Sequence, residues 1–361
     1  MNILLTANYK NGLFSNGLQQ NIVFLAELLK GIGFTPIIAI NHKIKECIDP
    51  PSDILIIEEN ELLEYCEDIS FILNTAWMIN ADKINFIKKL NPKCKNVHVL
   101  YGNSMLADIE RCSWNDHISV NPDAVDEVWI SPHYEISFEY FKTYYKTEKV
   151  LELPYIWSPK YVKIHEKIWN SINKSCFYNE KDKKHIAILE PNLNITKHCL
   201  PSIMALEEFF NQNGKELEKD INVYCSAKLI GNLYFKTLIN KLNIFKYKKI
   251  FFAKRKKVAE IFSHECDLVV SHQLLNGLNY TYLEALYFNI PLVHNSEYIK
   301  EAGYFYPDYD TNLAAKAIKN AITNHSKNLQ QYKEKSAQVL NKYSPTNPII
   351  IEKYKKLLSW K

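Results

Sequence analysis

Glycine is scarce in this sequence, and several familiar signals are missing from it altogether. Only nine of the 361 residues are glycine, which excludes a Gly-rich repeat. No apolar run approaches the ~20 residues that span a membrane, and no basic segment with a cleavage site opens the chain. The eight cysteines are scattered, without a CxxC pair or a metal-ligand spacing. We therefore expect reduced thiols and a cytoplasmic protein.

A large excess of one charge is also missing, since the net charge is only +4. A value this small does not by itself indicate a nucleic-acid-binding protein. The basic residues are unevenly spread, however, and cluster from Lys241 to Lys257 around the apolar run IFF. A strand with solvated lysine flanks is the first interpretation of this cluster. Peripheral contact with a membrane, an anionic ligand and a polynucleotide remain alternatives, of which nucleic acid is the least favoured.

Apolar residues are plentiful, at 47% of the chain against 23% charged, which is typical of a soluble globular protein. A chain of 361 residues exceeds what one core usually organises, so two domains are expected. Short β-branched runs alternate with amphipathic segments from the start, as in NILLTA, LQQNIVFLAELLKGIG and TPIIAI. A second alternation of the same kind begins at HIAIL. This pattern predicts an α/β protein with parallel sheets that are covered on both faces.

The alternation weakens between Ser158 and Lys184, where the sequence is rich in Lys, Asn and Asp, and this stretch is predicted to join two domains. The first Rossmann-like domain is predicted to span residues 1–160 and the second residues 161–345. The tail NPIIIEKYKKLLSW has the period of an amphipathic helix. Residues 346–361 are therefore expected to return and pack on the amino-terminal domain.

Open parallel sheets bind ligands beyond the carboxyl ends of their strands, so the loops after the strands are the places to look for a site. Glu190 to Lys197 follow HIAIL, and His272 to Asn279 follow DLVVS. In the amino-terminal domain, Asn16 and Gly17 follow the first strand and His133 follows EVWIS. These loops supply all the candidate residues except one, Glu284, which lies in the helix after Asn279.

Two of these stretches resemble the nucleotide-sugar half of retaining glycosyltransferases of the GT-B fold. In that superfamily a Glu-x7-Glu motif runs into an LEA…G.P.V helix and strand. The sequence LEALYFNIPLVHN is similar to the second half of the motif, with Glu284 at the second glutamate and Asn276 at the position of the first. The family's first loop supplies an Arg and, five positions on, a Lys to the donor diphosphate. In ILEPNLNITK those positions hold Asn192 and Lys197.

The chain also looks like a little-characterised group of glycosyltransferase-like bacterial and viral proteins, through SNGLQQNIVFLAELL, LPYIWSP and SHQLLNGLNYTYLEALYFNIPLVHNS. These likenesses imply two Rossmann-like domains that face each other across a cleft, the first for the acceptor and the second for the nucleotide sugar. They also imply a retaining transferase that moves a hexose from a nucleoside diphosphate sugar, UDP-sugar favoured. The acceptor would be a glycan, a protein or a lipid-linked molecule.

The chemistry of that reaction indicates what the site must contain. Breaking the anomeric bond leaves charge on a diphosphate, and Lys197, the Gly277 loop and the positive end of a helix could stabilise it without a metal or other cofactor. The sequence does not assign a catalytic residue, and the candidates are His133 and Asn276. The expected donor-binding residues are Gly17, Glu190, Asn192, Lys197, His272, Asn276, Gly277, Leu278, Asn279 and Glu284. The DYD sequence at 308–310 is assigned to a turn and a helix cap rather than to a metal site.

Other interpretations stay open at this point. Thr281 to Glu284 fits a capping box, in which Glu284 would merely bind a backbone N–H at the start of its helix. The alternative is that Glu284 accepts hydrogen bonds from the ribose hydroxyls. Because Asn192 and Asn276 replace charged residues, the chain could also be a catalytically degenerate GT-B domain that binds a glycan or a partner. A sugar-nucleotide epimerase on the same fold is a further alternative.

Overall fold

The structure is a computed structural model, and it describes residues 1–13, 17–114, 124–180, 184–213 and 220–359. It divides into two compact units. The first consists of Met1–Ser158 together with Tyr343–Lys361, and the second consists of Pro159–Lys342. Each unit is built around one parallel β-sheet.

The first unit has a seven-stranded sheet in the order β3-β2-β1-β4-β5-β6-β7, in which all the described pairs are parallel. Its strands are β1 (Asn2–Ala7), β2 (Thr35–Ile40), β3 (Leu55–Glu58), β4 (Ile69–Asn74), β5 (Lys95–Leu100), β6 (Glu127–Ile130) and β7 (Val150–Glu152). Its helices before the domain boundary are α1 (Gly17–Gly31), α2 (Ala81–Leu90), α3 (Ser104–Trp114) and α4 (Phe138–Tyr145).

The second unit has a six-stranded sheet in the order β10-β9-β8-β11-β12-β13, again with parallel pairs throughout the described part. The strands are β8 (Ile186–Ile188), β9 (Ile221–Val223), β10 (Ile250–Phe252), β11 (Leu268–Val270), β12 (Leu292–His294) and β13 (Tyr304–Phe305). The helices are α5 (Lys160–Asn170), α6 (Leu200–Asn213), α7 (Leu233–Ile239), α8 (Asn243–Lys246), α9 (Val258–His264), α10 (Tyr280–Tyr287), α11 (Thr311–Asn324) and α12 (Leu329–Lys342).

Both sheets are buried on their two faces, which explains the continuous apolar runs in the sequence. In β1, Ile3, Leu4 and Leu5 point alternately to opposite faces, and all three are fully buried. In the second unit, helices α6 and α11 contribute Phe209 and Ile318 to the core beside the sheet, and both are fully buried. The α/β prediction with two parallel sheets is confirmed.

The last helix, α13 (Pro348–Leu357), belongs to the first unit. Asn347 caps its start by accepting from the N–H of Ile349 at 2.9 Å, and Pro348 occupies the first turn. The buried Tyr354 hydroxyl donates to the carbonyl of Pro154 at 2.8 Å. Lys353 also pairs with Glu152, at 2.9 Å. The prediction that the tail returns to the amino-terminal domain is confirmed.

The structure differs from the sequence prediction mainly where local patterns are weak. The Lys- and Asn-rich stretch after Ser158 contains α5, in which only Tyr161 and Val162 are buried, so its apolar stripe is short. The segment from Tyr134 to Tyr145 is a 3-10 helix as far as Ser137 and becomes α-helical at Phe138. Among the described residues, no helix combines the length and the apolar character needed to cross a membrane.

Candidate functional site

The best-defined candidate site lies at the centre of the second sheet. Strands β8 and β11 are neighbours there, and the strand order reverses between them. Such a switch point leaves a crevice beyond the carboxyl ends of the two strands, where open α/β sheets bind ligands. The loop from Glu190 to Lys197 follows β8, and the loop from Ser271 to Asn279 follows β11. The topology therefore brings the two predicted loops to the same place.

Hydrogen bonds join these two loops. The N–H of Leu274 donates to the carbonyl of Thr196 at 3.1 Å. The Ser271 hydroxyl donates to Glu190, and it lies 3.0 Å from the hydroxyl of Tyr282 in α10. Glu190 is only 2% exposed, and burial raises its pKa to about 7, although the hydrogen bond from Ser271 acts in the opposite direction. The two loops and α10 thus share one buried polar cluster.

Asn192, predicted as a donor-binding residue, uses its side chain to shape the loop. Its oxygen accepts from the N–H of Cys199 at 2.8 Å, and its amide nitrogen donates to the carbonyls of Glu190 at 2.9 Å and Cys225 at 3.4 Å. Its backbone is left-handed, with φ of 54°, which asparagine tolerates better than most residues. An arginine at this position could not make the same set of contacts, because it has no acceptor.

Lys197 has a different environment. It is half-buried at the end of a short 3-10 helix, and burial lowers the pKa of its ammonium group. No hydrogen bond or ion pair to the ammonium group is found within the described ranges. A partly desolvated cation without a protein counter-ion is well suited to an anionic ligand, because the ligand would supply the missing charge.

His272 is held by its neighbours within the second unit. Asn295 accepts from the N–H of Gln273 at 3.0 Å and donates to the carbonyl of the same residue at 3.0 Å, which fixes the orientation of the amide. Its nitrogen lies 3.3 Å from Nε2 of His272, so Nε2 accepts and Nδ1 donates to the hydroxyl of Tyr306 at 2.9 Å. Burial lowers the pKa of His272 to about 4. The ring is therefore neutral at pH 7, with both nitrogens engaged.

Asn276 and Gly277 lie in the turn that leads into α10. Asn276 is 1% exposed, and its amide donates to the side-chain oxygen of Gln273. Gly277 packs against Tyr298 so closely that a Cβ atom would come within 2.8 Å of the tyrosine ring. Leu278 is buried beside them. The glycine is therefore required by the close approach of an aromatic ring rather than by a left-handed backbone.

Helix α10 is capped by Asn279 and not by Thr281. Asn279 is the N-cap, and its side-chain oxygen accepts from the N–H of Tyr282 at 3.0 Å. The third helical position is therefore Tyr282, whereas a capping box would require an acidic residue there. The interpretation of Glu284 as the partner of a Thr281 cap is wrong, because the helix begins one residue before Thr281.

The Glu284 carboxylate is instead a buried acid in the second turn of α10. It is 9% exposed, and burial raises its pKa to about 7. No donor or cation in the described part of the chain offsets that cost. A buried carboxylate without a partner is unfavourable on its own, so its presence favours a binding role.

The remaining predicted residues lie in the first unit or away from the crevice. Gly17 is the first residue of α1, and Asn16 lies outside the described residues. His133 is buried, with its ring centroid 3.9 Å from that of Tyr134 and 5.5 Å from that of Tyr155. These contacts give His133 an aromatic environment.

The acidic pair in DYD is divided between a turn and a cap. Asp310 accepts from the N–H of Leu313 at 2.9 Å and caps α11, as predicted. Asp308 has a left-handed backbone, with φ of 50°. Across the described ranges, no group of three His, Cys, Asp or Glu side chains is arranged to hold a metal.

A separate cavity of about 670 Å³ opens beside β13, lined among others by Lys316, Tyr332 and Lys335. None of its lining residues comes from the loops after β8 and β11. The cavity nevertheless borders the switch point, because Tyr306, which lines it, forms the hydrogen bond with His272.

Sequence reasoning missed Ser271, Tyr282 and Gln273, which hold the site together. Ser271 comes directly after β11, and Glu190 comes two residues after β8, the neighbouring strand. Because a polar residue follows each of these two adjacent strands, a contact between Ser271 and Glu190 could have been predicted. Tyr282 carried no such signal, because an aromatic residue in a short helix normally indicates only core packing.

Several known structures have a similar fold. A glycosyltransferase from Rickettsia africae has a TM-score of 0.60 at 14% identity, over 99% of this chain and 97% of its own. An alpha-glucosyltransferase in complex with UDP and a 13-mer DNA has a TM-score of 0.61 at 12% identity, over 99% of each chain. The pneumococcal O-GlcNAc transferase GtfA, in complex with UDP and GlcNAc, has a TM-score of 0.54 at 12% identity, over 99% and 98%.

The fold is that of the GT-B glycosyltransferases, with two Rossmann-like domains. The chain itself belongs to the family described as "Protein of unknown function (DUF2827)", which matches residues 2–358. Among curated proteins, none matches the sequence.

Proposed function

We propose that this protein is a glycosyltransferase that moves a hexose from a nucleoside diphosphate sugar, with UDP-sugar favoured as the donor. The observation that carries the proposal is the buried carboxylate of Glu284, which has no partner in the described residues and lies at the switch point of a GT-B fold. Structures with the same fold were solved with UDP bound, which supports a nucleotide donor.

In this proposal, Glu284 accepts hydrogen bonds from the vicinal hydroxyls of the ribose. Two hydroxyl donors satisfy one carboxylate well, and a charged acceptor forms hydrogen bonds roughly twice as strong as a neutral one. Ligand binding would thus remove the cost of burying the acid. The cap residue Asn279 and the close-packed Gly277 fix the start of α10, so the carboxylate is held in position before the ligand arrives.

Lys197 is assigned to the donor diphosphate. Its ammonium is partly desolvated, which strengthens its interaction with an anion. The positive end of the α10 dipole adds to the same field. Together these groups stabilise the charge that develops on the leaving diphosphate without a metal ion, and retention of configuration follows from the family resemblance. Acceptor binding, to a glycan, a protein or a lipid-linked molecule, is assigned to the first unit, where His133 remains the candidate base.

A catalytically degenerate domain that only binds a glycan or a partner is the second candidate. The observation in its favour is that the amides of Asn192 and Asn276, which stand where the family has charged residues, are both engaged within the loops. Such a protein would not turn over a sugar nucleotide, whether or not it still binds the nucleotide.

Titration calorimetry with UDP in the presence of EDTA tests the proposal. We expect binding, and we expect Lys197→Ala to weaken it by about 1 to 3 kcal/mol, the range for hydrogen bonds to charged groups. Lys93→Ala is the matched control, because it removes an exposed lysine of the first unit. UDP release from a panel of UDP-hexoses then separates the two candidates. If UDP binds but no UDP-hexose releases it with any acceptor, the degenerate domain is favoured. If neither UDP nor any other nucleoside diphosphate binds, the assignments of Glu284 to the ribose and of Lys197 to the diphosphate are both wrong.

A further inference from the structure

A long stretch of the second unit carries charge of a single sign. From Ile221 to Ala259 the sequence contains ten Lys and Arg residues and no Asp or Glu. The whole second unit holds 27 basic and 18 acidic residues, whereas the first holds 17 and 22. The positive charge of the protein is therefore concentrated on one unit, and within that unit on one stretch.

The sheet brings two parts of this stretch together. Strands β9 and β10 are parallel neighbours, so the loops that follow them leave the same edge of the sheet. The N–H of Ser226 donates to the carbonyl of Ala253 at 3.1 Å and ties these loops to each other. Lys228 follows two residues after Ser226, and Lys254 and Arg255 follow Ala253, and all three are exposed.

Three large apolar side chains are exposed in the segment that follows β9. Ile230 is 47% exposed, Leu233 79% and Tyr234 77%. This exposure does not come from a loosely held segment. Asn232 caps α7 by accepting from the N–H of Phe235 at 3.0 Å, and the side chain of Phe235 is only 5% exposed. Helix α7 is thus anchored to the core on one face, while its first turn presents Leu233 and Tyr234 to solvent.

We propose that these residues dock the protein on the surface of an anionic lipid bilayer. The β9–α7 patch is defined as Lys228, Ile230, Leu233, Tyr234, Lys254 and Arg255. Its apolar side chains would enter the interfacial region, and its basic side chains would face the lipid phosphates. Exposed apolar groups together with exposed lysine and arginine on neighbouring loops match such a surface in both respects, since each basic group near an anionic leaflet adds to the attraction.

A nucleic acid is the other polyanion that a basic surface could bind. Binding to single strands relies on aromatic rings that stack on bases, and binding to duplexes relies mainly on phosphate contacts. Ile230 and Leu233 are aliphatic and serve neither purpose, although they are strongly exposed. Inserting these aliphatic side chains into a bilayer removes apolar surface from water, which is favourable. A lipid surface therefore explains both the apolar and the basic residues of the patch.

Sedimentation with vesicles tests this inference on the full chain. Vesicles of a zwitterionic lipid are compared with vesicles in which about a third of the lipid is anionic. We expect binding to the anionic vesicles, weakened by salt. The double variants Leu233→Ser/Tyr234→Ser and Lys254→Gln/Arg255→Gln should each reduce this binding about tenfold or more. All four positions are exposed, so the fold should be retained, which circular dichroism would check.

The matched controls lie in the first unit. Ile136→Ser removes an apolar side chain that is 62% exposed, and Lys89→Gln/Lys93→Gln removes two exposed lysines. Both should bind vesicles as the wild type does. Equal losses in the controls, or no binding to anionic vesicles, would overturn the inference. Binding to DNA but not to vesicles, abolished by the patch variants, would assign the surface to nucleic acid instead. The outcome is independent of UDP binding, so the two proposals can fail separately.

Discussion

The side-chain oxygen of Asn192 accepts a hydrogen bond from the backbone N–H of Cys199 at 2.8 Å. This contact closes the loop between β8 and α6, and the amide nitrogen strengthens it by donating to the carbonyls of Glu190 and Cys225. The residue that stands in place of the family's arginine thus shapes the loop that presents Lys197. In the proposed donor site, Asn192 therefore holds the loop in shape and Lys197 is the residue that supplies the positive charge.

We therefore expect Asn192→Ala to lower the free energy of unfolding by about 1 to 3 kcal/mol. The loss of a hydrogen bond costs about 0.5 to 1.5 kcal/mol, and a left-handed alanine adds about 1 kcal/mol. Asn192→Gly is the matched variant, because glycine accepts the left-handed backbone and leaves only the lost hydrogen bonds. Urea unfolding measures both. If alanine were no worse than glycine and both matched the wild type, the loop contacts would have no energetic role.

The raised pKa of Glu284 predicts a specific dependence of stability on pH. The pKa rises from 4.5 to about 7 in the folded protein, so the folded state holds a proton that the unfolded state releases. The stability that this group contributes is fully present below about pH 4.5 and is lost as the pH rises through about 7. Glu284→Gln should remove this dependence, which amounts to about 3 kcal/mol at most. Thermal melts of both proteins from about pH 5 to about pH 8 measure it.

The same carboxylate should couple nucleotide binding to protons. If the ribose hydroxyls donate to Glu284, the ligand prefers the ionised form, and binding releases a proton near pH 7. UDP affinity should then rise with pH more steeply for the wild type than for Glu284→Gln, in which only the terminal phosphate of the ligand, with a pKa of about 6, still titrates in this range. Calorimetry in two buffers of different ionisation enthalpy detects the released proton. A wild-type protein that binds UDP without proton release would show that the ribose does not contact this residue.

Gly277→Ala tests how tightly the start of α10 is held. A new Cβ atom would come within 2.8 Å of the Tyr298 ring, so either the ring or the loop must move. Overpacking of this kind costs about 1 to 3 kcal/mol, and a displaced loop should also weaken UDP binding. Gly102→Ala is the control, because no atom lies within 4 Å of its added Cβ. Loss of UDP affinity in both variants would point to a general effect of the substitution.

Asn276 provides a test of sugar selection. Its amide donates to Gln273, and a side chain with both donor and acceptor groups suits a sugar hydroxyl. We expect Asn276→Ala to reduce discrimination among UDP-hexoses more than affinity for free UDP, and Gln273→Ala to produce a weaker change in the same direction. Competition binding with UDP-glucose, UDP-galactose and UDP measures both quantities. Equal losses for all three ligands would place Asn276 in the support of the loop rather than beside the sugar.

The sequence by itself determined the α/β architecture, both parallel sheets and the returning tail. These features depend on local patterns: continuous apolar runs for strands covered on both faces, and the apolar stripe of the tail, of which Ile350 and Tyr354 are buried in α13. The sequence also singled out Glu284 and Lys197 as candidate site residues, because both lie in contiguous motifs.

Only the tertiary structure decided how the candidate site is held together. Ser271 and Glu190 are 81 residues apart and meet because β8 and β11 are adjacent in the sheet. The capping interpretation of Glu284 failed because a one-residue shift in the start of α10, set by Asn279, changes which residue occupies each capping position. The raised pKa of both glutamates likewise depends on surrounding atoms from several elements, since desolvation is a property of the packed environment and not of the neighbouring residues in the chain.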